Sequence, residues 1–128
     1  MDHFDLLPYE MREIISPVMD DDEQIFVLAD GLKTDGAEYH KNDVVVLSFI
    51  STYVFGIVQK IIQISGKPYV YCKQLEVVEF KVHFHAYQVK ETDKYSLIQV
   101  KDLYDYHPLG LYQIGNLSLV PLKHGIYN

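Results

Sequence analysis

The chain has 128 residues, of which 48 % are hydrophobic, so it can form a core of its own within a single domain. It lacks a run of eighteen apolar residues, which argues against a membrane-spanning helix. A single cysteine, Cys72, excludes an internal disulfide and suits a reducing compartment, so we expect a location in the cytosol or the nucleus.

The net charge of −7 is concentrated at the start of the chain. Residues 1–24 hold eight acidic side chains and one arginine, whereas residues 25–128 hold ten acidic and ten basic side chains. The body of the protein is therefore close to neutral and lacks the basic excess that binds phosphate backbones, so nucleic acid is not the expected partner of this domain. We predict an acidic segment at 1–24 and a single β-barrel domain at 25–128.

The acidic segment begins with a helical pattern. Asp5 can cap a short helix, and Ser16-Pro17 ends it. The apolar residues at helical spacing between these two points are Leu7, Met11, Ile14 and Ile15. Two roles stay open for this apolar face: it binds a partner or a second copy of the chain, or it packs against the protein's own sheet.

Runs of β-branched and aromatic residues follow, separated by Gly, Pro, Asn and Asp, as is typical of consecutive antiparallel strands. The predicted strands are 24–29, 44–49, 53–64, 69–80, 83–89, 95–100 and 117–120. Between them, 90–94 is predicted as a charged loop and 101–106 as one helical or 3₁₀ turn. The sequence therefore predicts a mostly β fold, with five to seven antiparallel strands in a small SH3-like barrel and a short N-terminal helix.

Two residues predict local details of these strands. Gly56 lies inside a long predicted strand, where glycine commonly marks a bulge or a tight bend. Pro121 follows the last predicted strand, and because proline cannot donate to a ladder, it indicates a strand at the edge of a sheet.

Part of the chain resembles known proteins. The order Asp43-Val-Val-Val, then Phe55-Gly-Ile-Val-Gln-Lys-Ile, a turn and Tyr-Val-Tyr-Cys, with a later Leu103-Tyr-Asp block, resembles small SH3-like and BAH-like barrels. Residues 80–89, together with His107-Pro-Leu109, are similar to a C-terminal block of uncharacterised animal proteins, many of them derived from transposable elements or bearing zinc fingers elsewhere. The resemblance spans roughly residues 38–124 and implies a chromatin-associated or protein-binding role.

Aromatic residues near predicted strand ends suggest a cage that reads methylated lysine. Such a cage surrounds a cation with aromatic rings and an acidic side chain. The candidate rings are Tyr39, Tyr53, Phe55, Tyr69 and Tyr71, and the candidate acid is Asp43 or Glu38. The alternative is that these are the ordinary half-exposed aromatic residues of a sheet.

A second group of tyrosines lies near the C-terminus. Tyr104, Tyr106 and Tyr112 flank His107-Pro-Leu109. They form an interaction surface, or they close one end of the predicted barrel with their hydroxyl groups hydrogen-bonded.

The sequence gives little support for catalysis or for metal binding. His83 and His85 would share one face of a strand and are weak metal candidates, because no third ligand at a zinc-like spacing accompanies them. Gly-x-Ser-x-Gly and glycine-rich phosphate motifs are absent. We therefore predict no catalytic residue and no cofactor.

The sequence predicts a non-catalytic interaction or assembly module that binds a protein or a peptide and does not enter a membrane. In one variant of this prediction, the partner is a second copy of the chain and the module forms a homodimer. Two alternatives stay open. One is a methyl-lysine or histone-tail reader that uses an aromatic cage. The other is a metal-dependent enzyme or a zinc-stabilised domain.

Overall fold

A computed structural model describes residues 13–15, 25–28, 31–34 and 36–121. This part of the chain is mostly β, as predicted, and residues 13–15 are helical. The strands are β1 (Ile25–Leu28), β2 (Gly31–Thr34), β3 (Ala37–His40), β4 (Val44–Ile50), β5 (Thr52–Ile64), β6 (Lys67–Lys81), β7 (Ala86–Gln99), β8 (Asp105–Leu109), β9 (Tyr112–Ile114) and β10 (Leu117–Pro121). Short 3₁₀ helices occupy Val82–Phe84 and Val100–Asp102.

Strands β4 to β7 form an antiparallel meander at the centre of one large sheet. The order in this sheet is β8-β4-β5-β6-β7-β10-β9, and β1 pairs with the C-terminal half of β5. A separate hairpin consists of β2 and β3. In the described part of the chain β8 and β9 end the sheet without pairing to each other, so the predicted closed barrel is not found there.

Residues with positive φ make the tight turns of the meander. Ser51 (φ 60°) connects β4 to β5. Ser65 (φ 50°) and Gly66 (φ 80°) connect β5 to β6, as the sequence predicts. Two successive positive φ values match the twist of a two-residue hairpin, which is why this turn joins two long strands without splaying them.

The sheet buries apolar side chains on both faces, because the apolar residues of β4 to β6 alternate between them. On one face, Val45, Val58, Val70 and Cys72 pack under Leu32 and Ala37 of the β2–β3 hairpin and under Val100 and Leu103. The opposite face carries two further clusters. One of them joins Val44, Phe55 and Leu75 to Val89, Leu109 and Val120, and the other joins Ile62, Ile64 and Tyr71 to Ile15.

Bulges bend the meander at sites other than the predicted one. The register shifts fall at Leu47 in β4, at Gln59 in β5, and at Gln74 and Val78 in β6. Gly56, the predicted bulge, pairs regularly with Gln74 of β6 and Val45 of β4. The glycine is required at this position for a different reason, the close approach of Cys72.

Strand β7 contradicts one sequence prediction. Residues 90–94, predicted as a loop, lie inside β7, where Thr92, Asp93 and Lys94 bulge opposite Gln74. The Thr92 hydroxyl donates to the Gln74 carbonyl at 2.9 Å and holds this bulge against β6. The pairing of Lys90 and Glu91 with β6, together with this hydrogen bond, therefore keeps the polar residues within the strand.

Three other boundaries differ from the prediction. The predicted strand 83–89 begins as the 3₁₀ helix Val82–Phe84, which turns β6 into β7. The helical turn predicted at 101–106 is the 3₁₀ helix Val100–Asp102, and β8 already begins at Asp105. Strand β10 lies between β7 and β9 rather than at an edge, and its terminal residue Pro121 extends beyond its pairing with β9.

The helical residues 13–15 pack on the sheet. Ile15 is fully buried against Ile62, Ile64 and Tyr71, and Ile14 is half-buried against the same cluster. No helix among the described residues is long and apolar enough to cross a lipid bilayer.

Candidate functional site

Three aromatic rings meet where β4, β5 and the start of β8 come together. Phe49 and Tyr53 are register partners, and their ring centroids are 4.8 Å apart in an edge-to-face contact. The Tyr104 ring centroid lies 6.1 Å from that of Phe49 and 6.2 Å from that of Tyr53. The register shift at Leu47 makes this possible, because it moves Phe49 to the face of the sheet that carries Tyr53. These three residues are termed the aromatic corner.

The aromatic corner is open to solvent but has a fixed backbone. Phe49 is 47 % exposed and Tyr104 is 59 % exposed, whereas Tyr53 between them is half-buried. The Tyr104 amide donates to the Val46 carbonyl at 3.0 Å, which ties the residue before β8 to β4. Large rings on a backbone that is held by hydrogen bonds lose little conformational entropy when a partner covers them.

Further rings extend the corner across the sheet. Tyr53 contacts Phe55 and Tyr87 at centroid distances of 5.7 Å and 5.6 Å, and Tyr87 contacts Phe80 at 5.0 Å. Phe55 is fully buried beneath these rings, and Phe80 is 38 % exposed. The six residues Phe49, Tyr53, Phe55, Phe80, Tyr87 and Tyr104 are termed the aromatic surface. Three further exposed apolar residues are Val78 in β6 and Val82 and Phe84 in the β6–β7 turn.

A carboxylate accompanies the aromatic corner. Asp105 directly follows Tyr104 and is the β8 residue that pairs with Val46. Partial burial raises the pKa of the Tyr53 hydroxyl, and the neighbouring Tyr87, Tyr104 and Asp105 raise it further. Of these groups Asp105 carries a negative charge near neutral pH, and a carboxylate near the rings favours an approaching cation.

A groove adjoins the aromatic surface on the other side of Tyr53. The ladder between β5 and β6 ends at Phe55 and Leu75, although β5 starts three residues earlier and β6 continues to Lys81. The two strands diverge there around a groove of about 650 Å³. Its lining consists of Thr52, Tyr53, Val54, Gln74, Leu75, Glu76, Val77, Thr92, Asp93 and Lys94.

Most of the charges on β6 and β7 neutralise one another. The ion pairs are Lys73–Glu91 at 3.3 Å, Lys90–Glu76 at 3.4 Å, and Lys81–Glu79. Each lysine of a pair thus has a carboxylate within reach, so this part of the surface offers no positive stripe for a phosphate backbone.

The structure does not assemble the aromatic cage predicted from the sequence. Tyr39 is fully buried in the cluster with Val45, and Phe55 is fully buried in the cluster with Leu75. Tyr71 is buried beside Ile15, and the half-buried Tyr69 packs against the same cluster. Of the predicted rings, Tyr53 and Phe55 contact each other. Tyr39 packs on one face of the sheet. The other four rings share the opposite face, but Tyr53 and Phe55 belong to the cluster with Leu75, whereas Tyr69 and Tyr71 belong to the separate cluster with Ile15.

Asp43 stabilises a turn and does not take part in a cage. Its Oδ2 atom accepts the backbone N–H of His40 at 2.8 Å, and its own N–H donates to the His40 carbonyl at 3.0 Å. This pair of hydrogen bonds closes the turn between β3 and β4. Glu38, the other acid considered, contacts the His40 ring at 3.0 Å.

The predicted interaction residues have different positions. Ile15 is buried against the protein's own sheet, whereas Leu7 and Met11 lie outside the described residues. Tyr104 belongs to the aromatic corner, and Tyr112 is exposed on β9 at the far end of the sheet. Tyr106 lies on β8, but its side chain is outside the described part of the structure.

The two metal candidates do not lie on a strand. His83 is in the 3₁₀ helix Val82–Phe84, and His85 has a left-handed backbone with φ 50°. The argument that alternate strand residues share a face therefore does not apply to them. Within the described ranges, no group of three or more His, Cys, Asp or Glu residues is placed to hold a metal ion.

Cys72 is a core residue. Its thiol is fully buried between β5 and β7, and burial raises its pKa from 9.0 to about 12. Because the thiolate is the reactive form, this thiol is a poor nucleophile near neutral pH.

Sequence reasoning overlooked Phe49, Phe80 and Tyr87. A signal for Phe49 was present, because the one-residue turn at Ser51 between two apolar runs makes Phe49 and Tyr53 cross-strand partners. No such signal exists for Phe80 and Tyr87, since their pairing depends on the bulge at Val78.

Comparison of the chain with protein-family models, with curated proteins and with solved structures gave no match. The candidate site is therefore defined by its own geometry.

Proposed function

We propose that this domain is a non-catalytic protein-binding module and that the aromatic surface is its contact site. The observation that carries the proposal is the aromatic corner, where three rings touch one another while Phe49 and Tyr104 stay about half exposed. Exposed apolar patches on soluble proteins mark interaction sites, and tyrosine is enriched among the residues that dominate binding energy.

The partner is a protein rather than a nucleic acid or a methylated lysine in an enclosed cage. Three lysines of β6 and β7 (Lys73, Lys81 and Lys90) are paired with carboxylates, so this surface lacks the positive excess that a phosphate backbone needs. The rings of the aromatic corner contact one another, which leaves no space between them for a trimethylammonium group. A zinc-stabilised domain or a metal-dependent enzyme has no ligand set among the described residues to support it.

The finer points of the proposal come from the sequence. A kinship with SH3-like or BAH-like barrels, an association with chromatin and a setting in the nucleus or the cytosol rest on the resemblance of residues 38–124 and on the lone Cys72. Homodimerisation is the variant in which the partner is a second copy of the chain. The burial of Ile15 weighs against a dimer built on the N-terminal apolar face.

Site-specific photo-crosslinking tests the proposal. A photoreactive phenylalanine replaces Phe49 in one version of the full chain and Tyr112 in another, and proteins crosslinked in cells at position 49 are identified and purified. We expect direct binding of such a protein to the wild-type chain. The double variant Phe49→Ser/Tyr104→Ser should weaken it by roughly 30-fold or more, the scale of an interface hot spot.

The matched control is Tyr112→Ser/Ile114→Ser, which removes two exposed apolar side chains from β9 at the other end of the sheet. It should change the affinity less than about threefold, because residues outside a hot spot contribute little. Equal weakening by both double variants, or a partner crosslinked at position 112 alone, would refute the aromatic surface as the contact site.

A further inference from the structure

The aromatic corner combines three exposed or half-exposed rings with a carboxylate, and this combination points to the chemistry of the partner. We infer that the corner formed by Phe49, Tyr53, Tyr104 and Asp105 binds the guanidinium group of an arginine side chain on the partner. This inference rests on the proposed function and deepens it, since it names the group that the contact site recognises.

The charge of the corner favours a cation. Asp105 is the register partner of Val46, and Val46 is the register partner of Phe55, so Asp105 lies on the face of the sheet that carries Tyr53. Its carboxylate also contributes, after burial and the neighbouring tyrosines, to the raised pKa of the Tyr53 hydroxyl. Aromatic faces are themselves negative at their centres, so the rings and the carboxylate attract the same kind of group. A neutral or acidic side chain would gain less at this position.

The same combination already holds a cation elsewhere in the molecule. Lys73 Nζ lies 5.9 Å from the centroid of the Tyr95 ring and 3.3 Å from a carboxylate oxygen of Glu91. The pKa of the Lys73 ammonium is raised, first by its hydrogen bond to Glu91 and next by Tyr95. In the corner, the ring and the carboxylate come from the consecutive residues Tyr104 and Asp105.

The ring geometry selects arginine over lysine and trimethyl-lysine. A trimethylammonium group needs rings on several sides of it, whereas these centroids are only 4.8–6.2 Å apart and the rings fill the space between them. A planar guanidinium instead stacks on one open ring face and donates sideways to a carboxylate. Tyr104, with 59 % of its surface exposed, offers such a face, and Asp105 directly follows it in the chain.

The test is a titration of the isotopically labelled full chain with four synthetic peptides, followed by amide chemical shifts. The peptides share a Gly-Ser sequence and carry arginine, lysine, trimethyl-lysine or citrulline at the centre. We expect the arginine peptide to shift the amides of Phe49, Tyr53 and Tyr104. It should bind roughly two- to fivefold more tightly than the citrulline peptide, as expected of one exposed cation–π contact. Equal binding of the two peptides, or shifts on another surface, would overturn the inference.

Variants separate this inference from the proposed function. Asp105→Asn keeps the shape and removes the charge, Tyr104→Leu keeps apolar bulk and removes the ring, and Asp93→Asn with Tyr112→Leu are the matched controls. Arginine binding should fall with each of the first two variants and stay unchanged in the controls. If the crosslinked partner needs Tyr104 and Phe49 but ignores Asp105→Asn, the arginine inference fails and the proposed function stands. If the partner ignores all of these variants, both fail.

Discussion

Gly56 on β5 lies directly against Cys72 on β6. A β-carbon at position 56 would be 2.8 Å from the Cys72 Cβ atom and 3.1 Å from Leu47 Cδ1. The atom in the way is a β-carbon fixed to the backbone of a buried strand, so it cannot rotate aside as a flexible side chain would. Gly56 therefore permits the close approach of β5 and β6 in the core.

The substitution Gly56→Ala should lower the free energy of unfolding by about 1–3 kcal/mol, the usual cost of overpacking a core. Urea denaturation measures this change. Gly110→Ala is the matched control, because its β-carbon would meet the exposed ring of Tyr112, which can turn away. Similar losses in the two variants would show that the contact with Cys72 is not the cause.

Burial of the Cys72 thiol predicts a loss of stability at alkaline pH. The folded pKa, about 12, is above the ordinary value of 9.0, so the contribution of the neutral thiol is complete below pH 9 and is lost between pH 9 and 12. Denaturation between pH 8 and 10.5 should show wild type losing up to about 1.4 kcal/mol per pH unit more than Cys72→Ala. The tyrosines titrate in both proteins, so the difference isolates Cys72. Parallel pH profiles would contradict the prediction.

The local pattern predicts the meander well but not its two-sided packing. The strands β4 to β6 and the turn at Ser65-Gly66 follow from β-branched runs and turn residues, which are local signals. The order of the strands, with β8 and β9 at the two ends of the sheet, depends on long-range pairing that local sequence patterns do not predict. The polar residues 90–94 predict a loop by their propensity, whereas in the structure Lys90 and Glu91 pair with β6 and residues 92–94 form a bulge.

The candidate site was only partly predictable for the same reason. Tyr53 and Tyr104 are candidates in the sequence, but the choice of partners for Tyr53 depended on register. A bulge shifts the side-chain alternation by one residue, so the bulge at Leu47 decides that Phe49, and not Ser48, shares a face with Tyr53. The sequence suggests a cage that includes Tyr39 and Tyr71, because composition does not distinguish a buried ring from an exposed one.

Asp43 should stabilise the turn between β3 and β4 through the hydrogen bond that it accepts from the His40 N–H. Asp43→Ala leaves this donor without its acceptor and should cost about 0.5–1.5 kcal/mol in urea denaturation. Asp43→Asn retains an acceptor oxygen and should recover most of the loss. The exposed Asp93→Ala serves as the control and should stay within about 0.5 kcal/mol of wild type. Equal stability of Asp43→Ala and Asp93→Ala would contradict the prediction that Asp43 stabilises this turn.

Ile15 distinguishes the two roles that the sequence leaves open for the N-terminal apolar face. It is fully buried against Ile62, Ile64 and Tyr71, so Ile15→Ala should lower the free energy of unfolding by about 2–5 kcal/mol. Ile14 is only half-buried in the same cluster, so Ile14→Ala should cost less than half as much.

Unfolding should be followed at two protein concentrations a hundredfold apart. Packing within one chain makes the loss independent of concentration, because no association step is involved. A dimerising face would behave differently: Ile15→Ala would abolish any concentration dependence of the wild-type midpoint and leave the stability of the monomer nearly unchanged. That second result would return residues 13–15 to the role of an assembly element, and it would mean that the contacts of Ile15 with β5 and β6 do not stabilise the fold.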